Sequence, residues 1–256
     1  MDMTNEKKIL FVIRSAEHFH YYRTIISALL CRGYNLRLLF DRKWSDESSF
    51  ALFAEFQKEF PRFSYGWAVP RTDGWRHILF HTREILSYRN YLLIRSYQQS
   101  RYYEERYLGY LAPWFQRFLS LWGIKWLLRR KIIGSILRIC ERMAPPFSDI
   151  IRDIRNYDPH VVISSPVNMR FSSADLEYLK AAVKMHILTA LPIISWDNLT
   201  TKGLIHIVPD RLLVWNDAQY KEACEYHWFP RDRIRVIGAP VFDTWFSTLT
   251  PSVTRE

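Results

Sequence analysis

Lys8-Ile-Leu-Phe-Val-Ile-Arg14 is the stretch on which the fold depends. Basic residues ahead of an apolar run suggest a secretory signal peptide. The run, however, is only five residues long and Arg14 ends it, which is too short for that purpose. It reads instead as the first buried strand of a sheet. Moving outward, Tyr22, Ile25, Ile26, Leu29 and Leu30 recur at the spacing of one helical face. Gly33 stands where a helix C-cap belongs. Residues 35–40 form a second apolar run, ending in Asp41-Arg42. A second helix is expected over 46–59, with Ser45 or Asp46 as N-cap and Pro61 as its stop, and a third strand over 64–69. Such a β-α-β-α-β run calls for a parallel sheet with right-handed crossovers.

The character changes after residue 71. Between Arg71 and Arg142 stand fourteen Lys/Arg and five Asp/Glu, so this segment holds nearly all of the chain's net charge of +10. Ile78, Ile85 and Leu92 lie seven apart, as do Leu79, Leu86 and Leu93, which marks one helix. Further helical stretches are expected near 110–121 and over 124–140. The segment reads as a basic, aromatic helical insertion near 71–143. Arg129, Arg130, Lys131, Trp122 and Trp126 resemble an interfacial surface for anionic lipid headgroups. Charged faces are also the ordinary exterior of packed helices, so a helical layer with aromatics inside and arginines in water is the alternative.

The α/β pattern then resumes. A helix is expected over 148–157, a strand over 160–164, and a helix running to 187 behind a Ser172/Asp175 capping box. Strands follow at 192–195, 211–215 and 233–237, with Asn216 and Gln219 as the cap of the helix between the last two. The expected fold is α/β: a Rossmann-like doubly wound parallel sheet of about seven strands carrying the helical insertion. With 256 residues and 48% hydrophobic content the chain can build a core. Cys31, Cys140 and Cys224 are odd in number and widely spaced, which fits buried free thiols in a reducing compartment. No apolar run reaches the length of a membrane span.

Two places carry candidate chemistry. The loop Ile193-Ile-Ser-Trp-Asp-Asn-Leu-Thr-Thr-Lys-Gly203 crowds Trp196, Asp197, Asn198, Thr200, Thr201 and Lys202 behind a strand, and open α/β sheets bind ligands at strand carboxyl ends. The same residues also suit an ordinary turn, with Gly203 supplying a positive φ. The loop after the first strand offers Glu17, His18 and His20, with Arg23 following. A carboxylate and imidazoles there can act as a general base, and Arg23 can pair a phosphate or carboxylate. The glycine-rich phosphate loops and the nucleophile elbow of hydrolases are missing. No metal site is expected: there is no Cys/His cluster, and no His-x-x-x-His pair is read on a helix.

Three blocks together resemble the N-terminal half of a GT-B glycosyltransferase: the Lys-Ile-Leu-Phe-Val-Ile strand with its His-containing, glycine-free loop, the block Ile194–Gly203 followed by Pro209–Asn216, and Val236-Ile-Gly-Ala-Pro-Val-Phe-Asp243. The resemblance implies an N-terminal domain over 1–246 and a truncated linker or tail over 247–256. It also implies that the donor-binding domain or subunit lies outside this chain. A nucleotide-sugar donor belongs to the complete enzyme, with no cofactor bound by this part. The implied acceptor is a cell-surface glycan or a lipid-linked molecule. His18 carries the base position, Glu17 competes with it, and His20, Arg23, Trp196, Asp197, Asn198, Thr200 and Lys202 are substrate-binding candidates. Polyol-phosphate transferases, sugar epimerases and non-catalytic carbohydrate-binding or membrane-surface domains are the alternatives. Nucleic acid ranks last as a partner, because no binding motif accompanies the basic helices. The expected location is cytoplasmic, peripheral to the inner face of the membrane.

Overall fold

The opening run is a strand in the computed structural model, which describes residues 7–98, 101–168 and 173–247. β1 (Lys8–Ile13) is buried from Ile9 onward, as a central parallel strand must be. After it come α1 (Phe19–Cys31), β2 (Asn35–Phe40), α2 (Ser49–Glu59) and β3 (Phe63–Trp67). The insertion is α3 (Trp75–Leu93), α4 (Arg95–Gln98), α5 (Arg101–Gly109), α6 (Pro113–Ser120), α7 (Trp122–Leu128) and α8 (Lys131–Met143). Then follow α9 (Ser148–Tyr157), β4 (Val161–Ser165), α10 (Ala174–Lys184), β5 (Leu188–Pro192), β6 (Arg211–Val214), α11 (Asp217–His227), β7 (Ile234–Val236) and α12 (Asp243–Ser247).

All seven strands are parallel, in the order β3-β2-β1-β4-β5-β6-β7. This is a Rossmann-like sheet whose order reverses between β1 and β4, and the crossover from β3 to β4 carries the whole insertion. Period-2 alternation divides the core. Phe11, Ile13 and Phe40 pack on α1 and α2 through Phe19, Tyr22, Ile26, Phe53 and Phe56. Leu10, Val12, Leu39 and Val162 pack on the other side, against Ile150, Ile154, Tyr178 and Ala181 of α9 and α10. Phe19 meets both Phe53 and Phe56 edge-on at 5.1 Å between ring centroids. Gly33, at φ +85, closes α1 in a Schellman turn: its N–H donates to Leu30 and that of Tyr34 to Leu29.

A buried ion network ties the insertion to the sheet. Arg83 is fully enclosed; its Nε and Nη2 donate to Glu141 at 2.9 and 3.0 Å, and its Nη1 to Glu177 at 2.6 Å. Arg71 holds Glu177 at 2.8 Å and Asp73 at 2.7 Å, while Lys180 holds Glu141 at 2.9 Å. Three cations thus face three carboxylates across α3, α8 and α10.

Several expectations shift. The strand expected at 192–195 is β5, which runs earlier and ends at Pro192, with the Ile193 N–H still donating to the Leu213 carbonyl of β6 at 2.9 Å. The helix expected from 46 begins at Ser49. The Asp46 carboxylate accepts from the Ser48 N–H, and the Ser45 hydroxyl accepts from the Ala16 N–H, so neither caps it. The helix expected to reach 187 ends at Lys184, and Ser172 of its expected capping box lies outside the described residues. The expected helix over 124–140 is two helices, parted at Arg130, whose backbone is extended. Leu128 and Gly134 are both buried, yet six residues put them about 120° apart on one continuous helix. Breaking the helix lets each face inward. Gly134 is needed there, since a Cβ would stand 2.6 Å from Cζ of Arg89. Residues 248–256, most of the expected tail, lie outside the described residues.

Candidate functional site

The strand order reverses between β1 and β4, and the carboxyl edge at such a switch point is the place where doubly wound folds bind ligands. The first polar residues after β1 and β2, Arg14 and Asp41, are both buried there. The Arg14 guanidinium lies 4.2 Å from the centre of the Trp44 ring. Asp41 accepts from the Lys43 N–H at 2.9 Å and from the Ala174 N–H at 3.1 Å, so it ties β2 to the start of α10. The Tyr22 hydroxyl donates to Ser165 Oγ, which donates to the Pro192 carbonyl at 2.6 Å, linking α1, β4 and β5.

His18 stands in the short 3-10 turn after β1. Burial, followed by the charges of Arg14 and His20, lowers its pKa to about 4, so the imidazole is neutral at pH 7. Its Nδ1 is buried and meets no hydrogen-bond partner among the described residues. Asp175, in the first turn of α10, is wholly enclosed. Burial pushes its carboxyl up to about 6, against the Ser173 hydroxyl and the Arg14 charge, which pull it down; the Asp41 charge adds to the rise. The Ser173 hydroxyl and the Leu176 N–H both approach this carboxyl and pull its pKa down, although neither meets strict hydrogen-bond geometry. A neutral imidazole with an unpartnered buried nitrogen, a carboxyl with its pKa near neutrality and a nearby cation are groups that can move a proton. Asp175, being enclosed, would act by its field rather than by touching a ligand.

The other candidates of the first loop point elsewhere. Glu17 and His20 are exposed, with His20 Nδ1 against the Glu17 carbonyl and its ring on Tyr21. Arg23 is exposed and lies over the Phe56 ring, on the α2 side of α1.

Most polar groups of the loop 193–203 bond within it, although the buried Asn198 Nδ2 meets no partner among the described residues. Asn198 is buried, and its Oδ1 accepts from the N–H groups of Ile194 and Ser195 at 3.1 and 2.9 Å. Asp197 accepts from the Ser195 hydroxyl, from Thr201 at 2.8 Å and from Lys202 Nζ at 3.3 Å. Burial pushes its carboxyl up, but these bonds outweigh that and hold it below the usual range. The Thr200 hydroxyl returns to the Asp197 carbonyl. From the insertion, the Tyr91 hydroxyl donates to the Lys202 carbonyl at 2.8 Å, and Arg106 reaches Asp197 at 3.7 Å. Positive φ among the described glycines is confined to Gly33 and Gly238, so Gly203 does not supply one. Trp196, 74% exposed, is the side chain this loop presents to solvent. Asp197, Asn198, Thr200 and Lys202 therefore build the loop.

The insertion turns an unusual face outward. On α8, Gly134 and Glu141 are buried toward α3, whereas Ile132, Ile136, Ile139 and Met143 are exposed. Trp114 and Phe118 of α6, Trp122, Trp126 and Leu127 of α7 and the intervening Leu121 are exposed as well, Trp122 by 81%. Arg129, Arg130 and Lys131 stand exposed beside them, with Arg130 stacked 4.0 Å over Trp126. No helix among the described residues is long and apolar enough to cross a membrane.

His77 and His81 do stand one turn apart on α3, a His-x-x-x-His pair where none was read. No group of three His, Cys, Asp or Glu placed to hold a metal occurs among the described residues.

No family model and no curated protein matches the sequence. Among solved structures, the chain is similar to Arabidopsis thaliana UGT89C1 complexed with UDP, at 13% identity and a TM-score of 0.38. The match covers 91% of this chain and 49% of that one, so the chain spans about half its length. So loose a superposition bears neither on the fold, which the sheet order establishes, nor on the chemistry.

Proposed function

We propose that this chain is the acceptor-binding part of a nucleotide-sugar-dependent glycosyltransferase acting on a cell-surface glycan or lipid-linked acceptor. The supporting observation is His18: a neutral imidazole at the carboxyl edge beside the switch point, with its Nδ1 unengaged. In this reading the imidazole accepts the proton of the acceptor hydroxyl as the glycosyl bond forms, a contribution of roughly 10²–10⁴ in rate. The cation that forms lies close to Arg14, whose like charge disfavours it and so favours onward release of the proton. Glu17, the competing base, is exposed to solvent. The donor site belongs to a further domain or subunit. The test is transfer of labelled sugar from a panel of nucleotide sugars to glycan and lipid extracts by the protein isolated at its native length. Label incorporated into an extract supports the reading; none from any donor contradicts it.

The same reading places the domain on an anionic membrane surface, in support of which stands the outward apolar face of α6–α8 with its basic border. An interfacial helix buries its apolar side among headgroups, and each nearby Lys or Arg adds about 1 kcal/mol on anionic lipid. Co-sedimentation with phosphatidylglycerol vesicles should be lost on changing Arg129, Arg130 and Lys131 to Glu. Undiminished binding would rule the placement out.

A further inference from the structure

A cavity lies away from the His18 site. It has a volume of about 870 Å³ and runs along α10 toward its C-terminal end, enclosed by the last turns of α8, the segment 204–208 and the end of α11. Of the helix ends that form it, those of α10 and α11 lead into the starts of β5 and β7, so it lies toward the amino edge of the sheet, whereas His18 stands at the carboxyl edge.

Its charge is one-sided. Arg138, Arg142, Lys180 and Lys184 line it, and Glu141 is the acid among them. Glu141 is already held by Arg83 and Lys180, and Glu177 behind it by Arg71 and Arg83. Arg138, Arg142 and Lys184 face the cavity with no ion-pair partner among the described residues. Burial keeps His206 and His227 well below the ordinary histidine range, so neither adds charge at pH 7. Like charges gathered in a concave wall focus a positive potential and favour a multiply charged anion.

Apart from the histidines, His186 included, the rest of the wall is apolar, with Met143, Val183, Ile207, Val208 and Trp228 among it. The volume is far more than one phosphate ion needs and is within the range of organic ligand sites. Met143 also ends the exposed stripe Ile132, Ile136, Ile139 on α8, so an apolar chain leaving the cavity meets a continuous apolar track.

We propose that this cavity binds an amphiphile with a phosphate monoester, its phosphate between Arg138, Arg142 and Lys184 and its apolar part against Met143, Val208 and Trp228. The lipid of a membrane and a soluble phosphorylated compound with an apolar group share this chemistry. The site rests on no step of the transferase reading, and a failed sugar-transfer assay leaves it standing.

Calorimetric titration of the intact chain tests it, with dihexanoyl phosphatidic acid kept monomeric, inorganic phosphate and dihexanoyl phosphatidylcholine as probes. The phosphatidic acid should bind at least tenfold more tightly than either of the others. The Arg142→Gln/Lys184→Gln variant should lose at least tenfold of that affinity while keeping its melting temperature. Arg138→Gln should lose part of it. Substituting Gln for Arg129, Arg130 and Lys131, outside the cavity, should leave the monomeric lipid's affinity unchanged while weakening vesicle binding. That arm separates this site from the membrane face. Absence of phosphatidic acid binding, equal binding of inorganic phosphate, or indifference to the Arg142/Lys184 change would overturn the proposal. A bilayer source is indicated if vesicles of long-chain phosphatidic acid compete with the short-chain probe in wild type but not in Arg142→Gln/Lys184→Gln. If such vesicles do not compete, the occupant is the soluble form of the same chemistry.

Discussion

His18 and His227 are both held neutral by burial, each at a pKa of about 4, yet their surroundings differ. His227 uses both ring nitrogens. Nδ1 accepts from the Ile205 N–H at 3.1 Å and Nε2 faces the Leu199 carbonyl at 2.9 Å, which fixes one tautomer. His18 leaves Nδ1 open. The two charge clusters that meet α10 differ in the same way. The network of Arg71, Arg83 and Lys180 with Asp73, Glu141 and Glu177 gives each of its carboxylates a cation. At the carboxyl edge, Asp175 and Ser164 keep unfilled oxygens. Buried charge that is fully answered holds a fold together. Buried polarity left unanswered costs free energy; it occurs at this edge of the sheet and also in the insertion, at His81, Arg89 and Asn90.

The largest effect that tests this contrast belongs to the filled network. Arg83→Ala leaves two enclosed carboxylates short of a cation and should cost about 3–5 kcal/mol in urea unfolding. A cost under about 1 kcal/mol would mean that the network is not structural. Next is His227→Ala, which strands the Ile205 N–H and the Leu199 carbonyl; about 2–4 kcal/mol is expected from two lost buried bonds. Both histidines also set a pH dependence. Their folded pKa lies below the ordinary 6.5, so the unfolded chain takes up protons first on acidification. Their stabilisation is complete above about pH 6.5 and should be lost as pH falls toward 4. In His227→Ala that slope should be shallower.

Asp175→Asn should move the other way. The folded carboxyl holds its proton up to about pH 6, above its ordinary 3.8. Stability from this group therefore falls as pH rises between those values and stays reduced above them. The amide removes that loss, so the variant should gain about 1–3 kcal/mol at pH 7 and nothing below about pH 4. Smallest is Asn216→Ala, away from both clusters. Asn216 Oδ1 accepts from the Gln219 N–H at 3.0 Å, and Gln219 Oε1 from the Trp215 N–H at 2.8 Å. Losing this cap should lower the melting temperature by the equivalent of about 1 kcal/mol, a calibration for the other variants.

The alternation of strands and helices was readable because each strand run is short and its flanking helix has one apolar face, as in residues 8–40. Where apolar residues do not mark one face, the sequence misleads. Leu188-Thr-Ala-Leu-Pro192 is a strand with little apolar signal, and the more apolar 192–195 is its exit. On α8 the apolar stripe points outward and Glu141 inward, the reverse of the usual pattern, and Arg83 and Lys180, both distant in the sequence, account for it. Of the site, His18 was visible from its loop. Arg14, Asp41 and Asp175 were not, since three separate segments bring them together and Asp175 resembled a helix cap. Their one available signal was position: Arg14 and Asp41 each follow a strand run directly. Conversely, Asp197 and Asn198 looked like ligand residues because turn-building and ligand-binding use the same side chains.

The most direct test compares His18→Ala with wild type in two readouts, sugar transfer by the native-length protein and thermal unfolding. His18 as the base predicts a loss of at least a hundredfold in turnover with the melting temperature nearly unchanged, because its buried Nδ1 has no hydrogen bond to lose. Turnover that survives the substitution, or a loss that merely follows unfolding, would contradict the assignment of this edge of the sheet as the reacting site.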